Sequence, residues 1–233
     1  ADTAKAALQK ALKGKPRTDL SKEARVLAVN FFKDEVKSLK TDENKLEGFT
    51  NEINKRYNKK LELFGKDDFR SLNWGDKGGT SAKARYQQMF DYYDWTNKSV
   101  FEVGCGWGSF FDFGFICDRY YGIDINEEFI KIAKEKQTGA TFETKEIEKV
   151  NSFNNIFDVA ISTGVVGNRG GPAWHPKMLH TFLKRMLNIS EVSLINFPST
   201  WATIRCEMVE YFSPEQVLNQ ALQITQNVEL IHK

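Results

Sequence analysis

The most constraining feature of the chain is the run Val100-Phe101-Glu102-Val103-Gly104-Cys105-Gly106-Trp107-Gly108-Ser109. A short apolar strand carries an acid near its end, and three glycines then alternate with other residues before helix-forming sequence resumes. Glycine reaches backbone angles that other residues avoid and lets the main chain approach a ligand closely. Twenty residues after Gly104, a second strand-like run, Tyr120-Tyr121-Gly122-Ile123-Asp124, ends on another acid. Open α/β sheets bind ligands at the carboxyl ends of their strands, where an acid on the second strand can accept hydrogen bonds from ribose hydroxyls. The expected ligand therefore contains a nucleoside and lies between two neighbouring strand tips.

The surrounding sequence supplies the sheet. Strands are expected near Ser99–Val103, Tyr120–Asp124, Ala140–Thr144, Ile156–Ser162, Val192–Phe197 and Val228–Ile231. Helices are expected near Ala82–Asp94, Gly108–Ile116, Glu127–Lys136, Pro176–Ile189 and Pro214–Thr225. Alternating strands and helices with unbroken apolar strands imply a parallel sheet covered on both faces. Before it, Leu20, Ala24, Leu27, Phe31, Phe32, Val36 and Leu39 recur at helical steps, and so do Leu46, Phe49, Ile53, Tyr57, Leu61 and Phe64. Residues 65–80 hold four glycines and three aspartates around Trp74 and read as a loop. The division expected is an N-terminal helical segment or cap over 1–65 and a ligand-binding domain over 66–233.

Composition narrows the partners. The chain has 33 basic and 31 acidic residues, a net +2, with residues 1–70 at +5 and the remainder at −3. So small a total does not suit a dedicated nucleic-acid binder, although the basic N-terminal segment is a candidate RNA face. Cys105, Cys117 and Cys206 form no CxxC pair and leave an odd thiol, which points to a reducing cytoplasm. No apolar run approaches the roughly 18 residues of a membrane span, and the opening residues do not read as a signal peptide. No Cys/His group has metal-ligand spacing.

Two cofactors compete for the glycine turn. A dinucleotide site wants G-x-G-x-x-G with a pyrophosphate over the helix N-terminus. Here the spacing is G-x-G-x-G, position 109 is serine, and Glu102 would oppose the pyrophosphate's charge. A cofactor with a cationic end suits Glu102 better. At this point the chain resembles the class I S-adenosylmethionine-dependent methyltransferases: Glu102–Gly108 is similar to their first motif, and Asp124 to their ribose-binding acid. The resemblance spans about residues 81–232. It implies a Rossmann-like, doubly wound, mostly parallel sheet of the seven-strand type.

It further implies that Gly104, Cys105, Gly106, Trp107 and Gly108 form the cofactor turn, the glycines lining the methionine half, and that Glu102 helps hold the amino group through water. Ile125 would pack on the adenine, and Glu146 and Ile147 stand where such enzymes carry an acid for the adenine amino group. Ser162, Thr163 and Gly164 resemble the turn facing the methionine. More narrowly, Trp74-Gly75, Arg85 and Asn196-Phe197 are similar to a lead-in shared by uncharacterised bacterial and phage members of the type 11/12 group. By that similarity Arg85 pairs with the methionine carboxylate, and Trp74 is either a plug under its loop or a lid. The family's sheet ends in a sixth and a seventh strand; Val228–Ile231 serves as the sixth, and the seventh is missing. Cys105-Gly106-Trp107-Gly108 also resembles cyclopropane fatty acid synthases, but the sequence after the second strand does not.

The acceptor is less legible. The Asn/Asp-Pro-Pro-aromatic signature of base amino-methylating enzymes is absent after the fourth strand, which reads Ser162-Thr163-Gly164-Val165, and no Pro-Cys nucleophile is present. The loop 165–176 carries Arg169, Trp174 and His175, and His175 is a candidate general base. The expected function is methyl transfer from S-adenosylmethionine to a small-molecule nitrogen or oxygen. The alternatives are an RNA or protein methyltransferase and a non-catalytic cofactor-binding protein.

Overall fold

Strand β1 (Ser99–Val103) is buried along its whole length, because strands pair with it on both sides. The computed structural model describes residues 48–150, 156–167, 176–203, 205 and 209–231. Within them β1, β2 (Arg119–Asp124), β3 (Thr141–Thr144), β4 (Phe157–Ser162) and β5 (Ser190–Ile195) form one all-parallel sheet in the order β3-β2-β1-β4-β5. The chain first builds outward from β1 through β2 to β3, then returns to the other side of β1 for β4 and β5. That reversal opens a crevice above the tips of β1 and β4, where such sheets bind ligands.

Side chains alternate across β1 as the pleat requires. Val100 joins a cluster with Tyr86, Met89, Phe110, Tyr120 and Ile161 on one face. Phe101 and Val103 join Ile123, Phe157, Phe182 and Met186 on the other. Helix α1 covers 48–64, α2 is Thr80–Tyr92, α3 is the single turn Ser109–Asp112, and α4 is Glu127–Lys136. Helices α5 (Pro176–Ile189) and α6 (Pro214–Leu222) follow. Caps fix the starts of α4 and α6. Asn126 Oδ1 accepts the N–H of Phe129, and Ser213 accepts that of Gln216 ahead of Pro214.

Two expectations need correction. Residues 228–231 form no strand and run as coil, since apolar β-branched composition makes a strand only where a partner ladder receives it. The helix expected over Gly108–Ile116 stops at Asp112, and Gly114, at φ +81°, turns the chain away two residues later. The chain divides into compact units of residues 1–48 and 49–233. The apolar stripe of Leu20–Leu39 falls in the first, outside the described residues.

Candidate active site

The turn after β1 is tied to the end of β2 by its own main chain. The N–H groups of Gly104 and Cys105 both donate to the Ile123 carbonyl, at 2.8 and 3.1 Å. Gly104, Gly106 and Gly108 all have positive φ, at 77°, 54° and 78°, which is the backbone this tight turn needs. At Gly106 a Cβ would also lie 2.8 Å from Leu72 Cδ2, so that leucine would have to shift. Gly106 directs its N–H to Asp124 Oδ2 at 2.9 Å, and Asn126 directs its N–H to Oδ1 at 2.8 Å. One half-buried carboxylate thus fixes the glycine turn to the start of α4. Burial raises the Asp124 carboxyl above its ordinary range, against the opposing pull of the backbone donors from Asn126 and Gly106.

Glu102 lies behind this turn and is fully buried. Tyr86 of α2 donates to its Oε1 at 2.5 Å, and Tyr120 of β2 donates to Oε2. The Tyr86 hydroxyl is also 3.5 Å from Ser109 Oγ at the start of α3. Burial pushes the Glu102 carboxyl up to about 7, although both tyrosine hydroxyls pull it down. The Cys105 thiol is buried against Gly122, where a Cβ would meet its Sγ at 2.8 Å, and burial lifts it well above the ordinary thiol range. It is a packing group. Trp107 is fully buried too, with its indole N–H on Asp112 at 3.0 Å and the Lys136 ammonium 5.4 Å from its ring centre.

The other strand tips meet the same edge. Ser162 ends β4 with its hydroxyl buried and without a partner among the described residues, and Thr163 Oγ1 lies 3.5 Å from Met89 Sδ. Asn196, just past β5, accepts the N–H of Gly164 at 3.0 Å. Trp74 lies against Gly164, and the Arg85 guanidinium sits 5.0 Å from the Trp74 ring centre. Burial lowers the Arg85 pKa. In the loop after β3, Ile147 is buried, and Glu146 pairs with Lys149 at 3.1 Å. Beside the β4 and β5 tips lies an open cleft of about 1030 Å³, reached by Trp74, Arg85, Tyr92, Asn196, Trp201 and Tyr211.

The structure therefore gathers Glu102, the glycine turn, Asp124, Ile125, Ser162, Thr163, Gly164, Trp74 and Arg85 around the crevice above β1. His175 lies outside the described residues, as do Arg169 and Trp174. Among the described residues no group of acids, histidines or cysteines could hold a metal ion, and no helix is long and apolar enough to cross a membrane. Sequence reasoning did not find the partners of Glu102. Tyr86 and Tyr120 come from other elements, and no local pattern marks them. Thr50, Asn54 and Asn58 of α1 also reach the β2 and β3 tips; their four-residue spacing was a readable signal.

A parallel sheet with a reversal beside its first strand, a glycine turn over that strand and an acid capping the next is a Rossmann-like arrangement. Residues 100–189 match the family model for the methyltransferase domain. Over that stretch the chain is similar to a methyltransferase domain. No curated protein matches the chain. Among solved structures it is similar to magnesium protoporphyrin IX methyltransferase from Synechocystis PCC 6803 with bound S-adenosylhomocysteine. That likeness has a TM-score of 0.55 and 13% identity, covering 76% of this chain and 86% of the other. It is also similar to phosphoethanolamine N-methyltransferase 1 from Haemonchus contortus, in complex with phosphoethanolamine and S-adenosylhomocysteine, with a TM-score of 0.54 and 13% identity. This second likeness covers 71% of the chain but spans only 38% of the Haemonchus enzyme. At such identities both speak to the fold alone.

Proposed function

We propose that the chain is an S-adenosylmethionine-dependent methyltransferase whose acceptor is the nitrogen or oxygen of a small molecule. The observation that carries the reading is the joint at Asp124, which takes the N–H of Gly106 on one oxygen and that of Asn126 on the other. A carboxylate has about four acceptor positions, so lone pairs remain for the two hydroxyls of a ribose. The residues present fit the rest of the cofactor. Ile125 offers an apolar contact for the base, the glycine turn offers bare main chain, and the orphaned hydroxyl of Ser162 marks a buried polar group awaiting a partner. Arg85 offers a guanidinium for the methionine carboxylate, with Trp74 stacked beneath it.

When bound, the cofactor supplies an activated methyl group on a sulfonium sulfur. The chain's residues then have mainly to bind, orient and exclude water, and orientation alone can lower a barrier by roughly 7–11 kcal/mol. Glu102, closed to solvent behind the turn, contributes by holding Tyr86 and Tyr120. The cleft beside β4 and β5 receives the acceptor. Its walls are largely apolar and aromatic, and Arg85 and Glu229 are the charged residues among its described lining. That balance favours a compact acceptor over a polyanion.

Calorimetry with S-adenosylhomocysteine tests the cofactor, and the expected result is saturable binding at one site. A metabolite extract incubated with labelled methyl donor, with the product identified by mass, tests the acceptor. No binding would end the reading. Label in RNA or protein but in no small molecule would move the acceptor to another class.

A further inference from the structure

Among the described residues eight large apolar side chains stand exposed, and four of them, Tyr92, Trp201, Leu230 and Ile231, line the cleft beside the β4 and β5 tips. Tyr92, the last residue of α2, and Trp201 are the aromatic members of the eight, at 41% and 51% exposure. Single exposed apolar residues are ordinary, whereas several gathered round one concave surface mark a binding site.

Trp201 is held firmly in its exposed place. Residues 198–203 fold back against 209–212: the N–H of Thr200 donates to the Phe212 carbonyl at 2.9 Å, and that of Phe212 to the Pro198 carbonyl at 2.8 Å. The same loop is tied to the turn after β4, where the Glu210 N–H meets the Gly167 carbonyl at 2.9 Å. The Trp201 N–H donates to Ser199 Oγ at 3.0 Å. The Arg205 guanidinium donates to the carbonyls on either side of Trp201, those of Thr200 and Ala202, and lies 5.5 Å from the Tyr211 ring centre. A loop fixed in this way loses little freedom when a ligand meets its indole, which favours binding.

We infer that the methyl acceptor is a flat aromatic ring bearing the oxygen or nitrogen to be methylated, and that Trp201 and Tyr92 form the platform on which it stacks. The inference deepens the methyl-transfer reading above and rests on it. Trp74 and Tyr211 line the same cleft, so aromatic side chains border it from the lead-in loop, the end of α2 and the loop after β5. Aromatic pairs in offset or edge-on arrangement attract beyond the area they bury. A cleft walled in this way therefore separates a planar ring from a saturated ring of the same size. With Arg85 given to the cofactor's carboxylate, no other cation is among the cleft's described lining, so the ring need carry no acidic group.

The probes are 2-naphthol and decahydro-2-naphthol, which share a skeleton and a hydroxyl and differ in whether the rings are aromatic. Each is titrated calorimetrically into the full chain saturated with S-adenosylhomocysteine. The unaltered protein should bind 2-naphthol at least about fourfold more tightly, since each of two stacked side chains is worth about 2- to 12-fold. A cleft that only buries apolar surface would show no such preference. Trp201→Leu should weaken 2-naphthol about 2- to 12-fold and leave decahydro-2-naphthol within about twofold, and Trp201→Phe should keep most of the preference. Equal binding of the two probes by the unaltered protein, or binding of neither, overturns the inference and leaves the cofactor reading standing. A full preference retained by a folded Trp201→Leu variant overturns it too, as does equal weakening of both probes. If S-adenosylhomocysteine itself does not bind, the cofactor reading falls and takes the acceptor role with it.

Discussion

Tyr86 of α2 donates its hydroxyl to Glu102 of β1 at 2.5 Å in a space closed to solvent, where the tyrosine is 2% exposed and the glutamate 0%. Tyr120 takes the other carboxylate oxygen from β2, so one acid joins a helix and two adjacent strands directly beneath the glycine turn.

A pH dependence of stability follows from that burial. The Glu102 carboxyl is raised from its ordinary 4.5 to about 7 in the folded chain. Below pH 4.5 it is protonated in both states and costs nothing. Between 4.5 and 7 the unfolded chain releases the proton while the folded chain keeps it, so rising pH removes stability, by up to about 3 kcal/mol once above 7. Glu102→Gln removes the titration and keeps an acceptor for one tyrosine. Denaturant melts at pH 5 and pH 8 should show the variant gaining on the parent protein as pH rises. Parallel stability profiles for the two proteins would show that Glu102 does not carry this dependence.

Asp124 should matter to the empty protein as well as to the bound one. Asp124→Ala is expected to weaken S-adenosylhomocysteine about 5- to 150-fold, or about 1–3 kcal/mol, by removing the partner of two hydroxyls. Asp124→Asn should lower thermal stability despite its similar shape. Gly106 and Asn126 aim N–H groups at opposite oxygens, so either orientation of the amide sets an NH₂ against a backbone N–H. Calorimetry and melting of the two variants separate these effects. A fully stable Asp124→Asn protein would mean that the carboxylate does not hold the turn.

The elements of this domain that sequence made legible are those whose signal is local. The acid and alternating glycines from Glu102 to Gly108 and the acid at Asp124 lie within single strand–turn units, and α4 begins at Glu127 because Asn126 caps it. What escaped depends on contacts between distant segments. Tyr86 lies 16 residues and Tyr120 lies 18 residues from Glu102, and each looks like an ordinary apolar position until the sheet is assembled. Val228–Ile231 has the composition of a strand yet is coil, because pairing is decided by the neighbour rather than by the segment. The Thr50, Asn54 and Asn58 spacing was visible, but polar residues on a helix ordinarily face water, and only the loops they meet give them a purpose.

Gly164 and Trp74 offer a test of how tightly the lead-in loop is seated. Gly164 has φ +78°, and a Cβ there would stand 2.9 Å from Trp74 Cη2. Gly164→Ala should therefore cost about 1–2 kcal/mol through the left-handed backbone alone, with further loss from the indole contact. Adding Trp74→Ala to it should recover the steric part and leave the backbone part, a non-additivity read from the four denaturation midpoints. Strict additivity would show that Trp74 does not press on Gly164.

Arg85 is half-buried over Trp74, and among the described residues no carboxylate lies within ion-pair reach of it. A guanidinium that burial has partly stripped of water gains most from an anion that arrives with its ligand. If that anion is the cofactor's carboxylate, the effect of Arg85→Gln must depend on whether the ligand carries one. S-adenosylhomocysteine should lose about 10- to 150-fold in affinity, the range of a hydrogen bond to a charged group. 5′-Methylthioadenosine, which has the same nucleoside and sulfur but no amino acid, should bind the variant and the parent alike. Equal losses for both ligands would mean that Arg85 shapes the pocket rather than reading the carboxylate. No loss for either would leave its charge to the acceptor side of the cleft.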